Sequence, residues 1–67
     1  MKSSEIGFKI KKLREEKNLS QAELATQLNI SQSKLSKIEN GRIRKIELTL
    51  ILKLCEFIDI EVQELVN

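Results

Sequence analysis

Leu19-Ser-Gln-Ala-Glu-Leu-Ala-Thr-Gln-Leu-Asn-Ile-Ser-Gln-Ser-Lys-Leu-Ser-Lys-Ile-Glu-Asn-Gly41 is the stretch that decides the fold. Ser20 stands three residues before Glu23, the spacing of a capping box. In that arrangement the hydroxyl and the carboxylate each satisfy a backbone N–H that the helix leaves orphaned. Leu19 and Leu24 stand where a hydrophobic staple sets the direction of the incoming chain. A helix therefore opens at Ser20 and ends near Leu28. After Asn29-Ile30, Ser31 caps a second helix, with Ile30 and Leu35 as its staple. Asn40-Gly41 supplies a glycine stop.

Two helices of about nine residues, joined by a three- to four-residue turn, make a helix-turn-helix. Upstream, a helix is expected from about Ser4 to Lys17, with Ile6, Ile10 and Leu13 on one stripe and Arg14 beside it. Asn18 tolerates the left-handed conformation that ends such a helix. Downstream, Arg42–Ile46 is a basic loop, a fourth helix spans roughly Glu47 to Ile58, and a short fifth runs from about Glu61 to Val66. No repeat, linker or low-complexity run interrupts this order. The expectation is one all-α domain over residues 1–67. Composition agrees: proline is absent, Phe8 and Phe57 are the only aromatics, and ten Leu and nine Ile supply the core.

A 67-residue chain hides only about 60% of its unfolded surface, which leaves no room for a second lobe or a large cleft. Histidine is absent and Cys55 is the lone cysteine, so neither a disulfide framework nor an ordinary zinc site can form within one chain. No cofactor, no metal and no small-molecule ligand is expected. Without histidine, a nucleophile–base pair or a cleft, the chain reads as no enzyme. Met1–Glu5 lacks the apolar core of a signal peptide, and no stretch approaches the ~18 apolar residues of a membrane span. A cytoplasmic protein away from the membrane is the natural reading.

The formal net charge is only +2, but it is unevenly placed. Residues 1–45 carry 11 Lys/Arg against 5 Glu, and residues 46–67 carry Lys53 against five acids. Such a polarised domain has an anion-facing side; chance clustering on a solvated surface explains the charge count alone equally well. The third helix says more. With Leu35 and Ile38 inward, its opposite face holds Gln32, Ser33, Ser36, Lys37 and Asn40, all polar and none acidic. Short donors and acceptors on a slim helix suit the major groove of DNA, about 12 Å wide. Gln pairs with adenine N6 and N7, and Lys reaches guanine O6 or N7. Lys34 opposes the helix dipole from the first turn, a cost of about 0.3–1 kcal/mol that a nearby phosphate would offset. An incidental solvated face is the bland rival.

These residues resemble the helix-turn-helix of the lambdoid phage Cro/cI repressor family, the Xre-type regulators. The likeness runs from Ile6 to Val66 and matches apolar positions, the small Ala25 and the polar markers together. It implies a compact five-helix lambda-repressor-like DNA-binding domain. It further implies that Gln32 and Ser33 read base edges, with Ser36 and Lys37 one turn along. Phosphate contacts fall to Gln21, which also braces the recognition helix, to Ser31, Lys34 and Asn40, and to Arg42 and Arg44 in the following loop. Arg14 and Glu39 match a partly buried ion pair of architectural role. The chain departs from the pattern at Asn29, where Gly is usual, at Ile46 for a common Pro, and at Glu61 for a Ser or Thr cap.

The fourth helix is apolar nearly all round. Leu48, Ile51, Leu52, Cys55 and Ile58 are assigned to one face, and Leu50, Leu54 and Phe57 to another. So small a domain is not expected to bury both. Homodimerisation is therefore expected through Leu50, Leu54, Phe57, Ile60 and Val62. Phe8 lies opposite its helix's apolar stripe and joins either that patch or the C-terminus. Cys55 reads as a small hydrophobe.

The function this implies is sequence-specific binding of a double-stranded DNA operator by a small transcriptional regulator, as a dimer on a two-fold site. A Cro/cI-like repressor or a restriction–modification controller fits. With the chain ending just after the fifth helix, regulation is expected to rest on concentration, dimerisation and competition for sites. RNA polymerase is a possible further partner through Glu23, though the capping box already accounts for that residue. The alternative is an antitoxin or adaptor using the same fold mainly to bind protein.

Overall fold

The computed structural model describes the backbone of residues 3–43 and 45–66 and the side chains of residues 5–43 and 45–65. Among the described residues five helices follow one another: α1 (Ser3–Glu16), α2 (Gln21–Leu28), α3 (Gln32–Glu39), α4 (Leu48–Ile58) and α5 (Val62–Val66). The capping box at α2 is complete. Ser20 Oγ accepts the Glu23 N–H at 3.0 Å, and Glu23 Oε1 accepts the Ser20 N–H at 2.8 Å. At α3, Ser31 Oγ accepts the Lys34 N–H at 3.0 Å.

Four helices end in the same way, with one residue in the left-handed region: Asn18 (φ 58°), Asn29 (φ 57°), Gly41 (φ 73°) and Asp59 (φ 57°). The next residue then folds back, so that Leu19, Ile30, Arg42 and Ile60 donate to the carbonyls of Arg14, Ala25, Lys37 and Cys55 at 2.9–3.1 Å. That bond satisfies a carbonyl the helix end would otherwise orphan. Asn and Asp accept left-handed angles with less strain than other non-glycine residues, so Asn29 performs the turn without glycine. Asp59 gives α4 a defined stop.

The core joins Ile6 and Ile10 of α1, Leu24, Ala25 and Leu28 of α2, Leu35 and Ile38 of α3, Leu65 of α5, and a broad stripe of α4. α3 packs against α1 and α2, while α4 packs against α2 and α5, and α5 also against α1. One close approach fixes α1 on α3: a Cβ on Gly7 would overlap the Ile38 carbonyl oxygen. Only glycine lets the two backbones meet there.

The faces of α4 differ from those expected. Leu50, Ile51, Leu54, Cys55 and Ile58 all point inward, with Leu50 8% and Leu54 1% exposed. Leu50 and Leu54 are therefore packed in the chain's own core rather than on an outward dimer face. Leu48 and Leu52 are left outside, at 65% and 48% exposure, and so is Phe57. The reason is that Thr49, Lys53 and Glu56 form one exposed polar stripe, so Leu54 falls on the opposite, inward side with Ile51 and Ile58, while packing against α2 and α5 widens the buried side to include Leu50. Phe57 is 40% exposed on the flank beside α2, and Ile60 and Val62 are partly buried against the core. Phe8 is 56% exposed. Burial, and then the nearby Glu64 carboxylate, push the Cys55 thiol above its ordinary pKa.

Candidate nucleic-acid interface

The outer face of α3 presents Gln32, Ser33, Lys37 and Asn40 to solvent, with Ser36 half-buried between them. These positions follow from the inward turn of Leu35, Ile38 and Glu39, since at 3.6 residues per turn the remaining residues point away. A weak 3.4 Å contact links Asn40 Nδ2 to Ser36 Oγ along this face. No acid stands on it.

Behind the face lies a charged node. Glu39 is 1% exposed, and its carboxylate accepts Arg14 Nε on Oε2 at 2.8 Å and Arg14 NH2 on Oε1 at 3.1 Å. Gln21 Nε2 donates to the same Oε1 at 3.1 Å, and Arg14 NH1 donates to the Leu19 carbonyl at 2.8 Å. One buried carboxylate thus ties α1, the start of α2 and the end of α3 together. The hydrogen bond with Glu39 raises the Arg14 pKa, with burial opposing and the Glu39 and Glu15 charges assisting. Every buried side-chain nitrogen and oxygen among the described residues has a partner.

Gln21 is half-buried, and one of its amide protons is committed to Glu39; its Nε2 carries a second for any outside acceptor. Ser31 is exposed, with its hydroxyl already accepting a backbone N–H. Lys34 has a partner within the chain, as its Nζ lies 3.4 Å from Glu47 Oε1 at the start of α4. The charge of Lys34 in the first turn is therefore partly answered locally, a contact that separation by 13 residues hides from pattern reading. Arg42 and Lys45 are exposed in the loop before α4. Arg44 lies outside the described residues. Glu23, committed to the capping box, titrates below the ordinary glutamate value, chiefly because its carboxylate accepts the Ser20 backbone N–H. Sequence reasoning missed Gly7 and Glu47.

A helix-turn-helix family model matches residues 10–65. Among solved structures, the restriction-modification controller protein C.AhdI from Aeromonas hydrophila is 36% identical. It aligns over 94% of this chain and 94% of its own, with a TM-score of 0.84. SinR, the master regulator for biofilm formation, solved in complex with DNA, is 32% identical over 92% of this chain and 98% of that one, with a TM-score of 0.85. The clp gene regulator ClgR from Corynebacterium glutamicum, at 23% identity, shares the fold over 96% of this chain and 67% of its own, with a TM-score of 0.89. A search of curated protein sequences returned no match. With the five-helix order, the capped α2 and α3 and a matched family model over most of its length, the chain belongs to the Xre-type, Cro/cI-like helix-turn-helix family.

Proposed function

We propose that this chain is a sequence-specific double-stranded DNA-binding transcriptional regulator that lays α3 in the major groove and acts as a homodimer on a two-fold operator. The carrying observation is the acid-free outer face of α3, held from behind by the Arg14–Glu39–Gln21 node. Rigid placement matters, because base edges discriminate only when donors and acceptors arrive in register. Gln32, Ser33, Ser36 and Lys37 take base readout. Gln21, Ser31, Lys34, Asn40, Arg42 and Arg44 take the phosphates. The solved relatives support this reading, one being a restriction-modification controller and another having been solved on DNA. A controller of that kind, working in the cytoplasm where the DNA is, fits this chain, and nothing in such a role calls for catalysis.

Dimerisation follows from reach. An eight-residue α3 is about 12 Å long and spans about four base pairs, too few to mark one site in a genome. Two copies whose α3 helices lie about 34 Å apart double the sequence read. With Leu50 and Leu54 in the core, the surface for a second copy is Phe57 with the partly buried Ile60 and Val62.

Fluorescence anisotropy at ~150 mM salt, comparing a selected two-fold duplex with its scrambled counterpart, tests the reading. A preference of about 10³-fold or more is expected. Equal affinity for the two overturns sequence-specific binding. Native mass spectrometry of the complex should give two chains per duplex, and one chain per duplex at tens of micromolar would refute the dimer.

A further inference from the structure

Between residues 31 and 47 the chain has two acids, Glu39 and Glu47. Glu39 is buried and held by Arg14, so it presents no charge to a ligand at the surface. Glu47 is the opposite case. It occupies the N-cap position of α4 with extended backbone angles (φ −63°, ψ 139°), yet its side chain makes no cap bond. Instead it reaches across to α3, where its Oε1 meets Lys34 Nζ at 3.4 Å. Both side chains are open to solvent, 42% and 68% exposed. They line one shallow hollow together with Thr49 and Lys53.

We infer that Glu47 is an internal competitor for DNA phosphate: its carboxylate occupies the Lys34 ammonium in the free protein, and a backbone phosphate displaces it in the complex. The inference rests on the DNA-binding reading above. Its physical basis is the weakness of the contact. A long, solvent-exposed pair of this kind is worth about two- to fivefold in an equilibrium constant, so it breaks readily when a better acceptor arrives. Phosphate is such an acceptor, because it belongs to a polyanion whose neutralisation releases condensed counterions. Lys34 sits in the first turn of the helix that enters the groove. Its partner is therefore lost just as the phosphate approaches, while a Glu47 carboxylate left nearby repels the same phosphate. Non-specific binding suffers most, since it depends almost entirely on phosphate contacts, and Glu47 thereby favours sites where base contacts also form.

A double-mutant cycle on the full chain separates this device from bulk charge. Wild type, Glu47→Gln, Lys34→Met and the double variant are titrated with selected and scrambled duplexes at ~50 and ~200 mM salt. Glu61→Gln, an exposed residue just before α5, controls for net charge, and circular dichroism confirms folding of each variant. Glu47→Gln is expected to tighten scrambled DNA about two- to fivefold at low salt, to tighten the selected site less, and to steepen the salt dependence by up to about one phosphate contact. In the Lys34→Met background the competition is gone, so the same change should give a clearly smaller gain, that of relieved repulsion alone. An equal gain in both backgrounds, or weaker binding by Glu47→Gln, overturns the inference while leaving DNA recognition intact. Failure of wild type to prefer its selected duplex overturns the functional reading and this inference together.

Discussion

Replacing Arg14 is the severest test of how α3 is held. Arg14→Met removes both hydrogen bonds to Glu39 and the one to the Leu19 carbonyl. Glu39, 1% exposed, is then left with Gln21 as its remaining donor. Breaking a buried pair by removing one partner costs about 3–5 kcal/mol. Arg14 retains 12% exposure, so water reaches the site and the lower end, about 3 kcal/mol, is the appropriate figure. For 67 residues the whole stability is about 3–10 kcal/mol. The substitution therefore removes about 30% of it at the upper bound and nearly all of it at the lower. Urea denaturation followed by circular dichroism should show a lower midpoint with an unchanged slope. The paired replacement Arg14→Met with Glu39→Leu removes the stranded charge and should recover most of the loss, because an apolar pair of similar volume is often neutral or better. A loss below about 1 kcal/mol for Arg14→Met alone would refute the reasoning. It would mean that water reaches the Glu39 carboxylate once Arg14 is gone.

Other outcomes follow from single residues. Gly7→Ala should destabilise the fold by about 1–3 kcal/mol from overpacking against Ile38, although alanine is the better helix former by about 1 kcal/mol; a thermal melt above wild type contradicts the close approach. Asp59→Gly should stabilise by about 1 kcal/mol, because glycine takes φ 57° freely and an acid leaves the negative end of α4. The melting temperature should rise about 4–8 °C. Glu23 should titrate below the usual glutamate range by carbon-13 NMR. Its folded-state value is lowered, so its contribution to stability is present above the ordinary glutamate pKa and lost as pH falls through the lowered one; Glu23→Gln should flatten that acid limb. Cys55, 5% exposed with a raised pKa, should react with a thiol reagent only as the protein opens, so a fast native-state reaction contradicts its place in the core.

Local signals in the sequence foretold local structure. Ser20 with Glu23, and Ser31 before its helix, announce the starts of α2 and α3 because cap and partner lie within one turn. The outer face of α3 was legible for a similar reason, since Leu35 and Ile38 fix the phase of the helix and leave its polar residues one direction. α4 was legible only in part. Its apolar residues cover most of the circumference, but Thr49, Lys53 and Glu56 fall within about 60° of one another, which turns Ile51, Leu54, Cys55 and Ile58 inward; the division into two apolar faces overlooked that polar stripe, and only the packing of neighbouring helices extends burial to Leu50. Contacts across many residues are hidden for the same reason: Lys34 with Glu47, and Gly7 with Ile38, depend on how helices cross.

The most direct test of α3 as the reading element is selection of binding sites from random duplexes by wild type and by Gln32→Ala. Wild type should recover a two-fold consensus, and the variant should relax preference at one symmetric pair of positions, at about 1–3 kcal/mol per base pair. An unchanged consensus, or a uniform loss across every position, would contradict base readout by the outer face of α3.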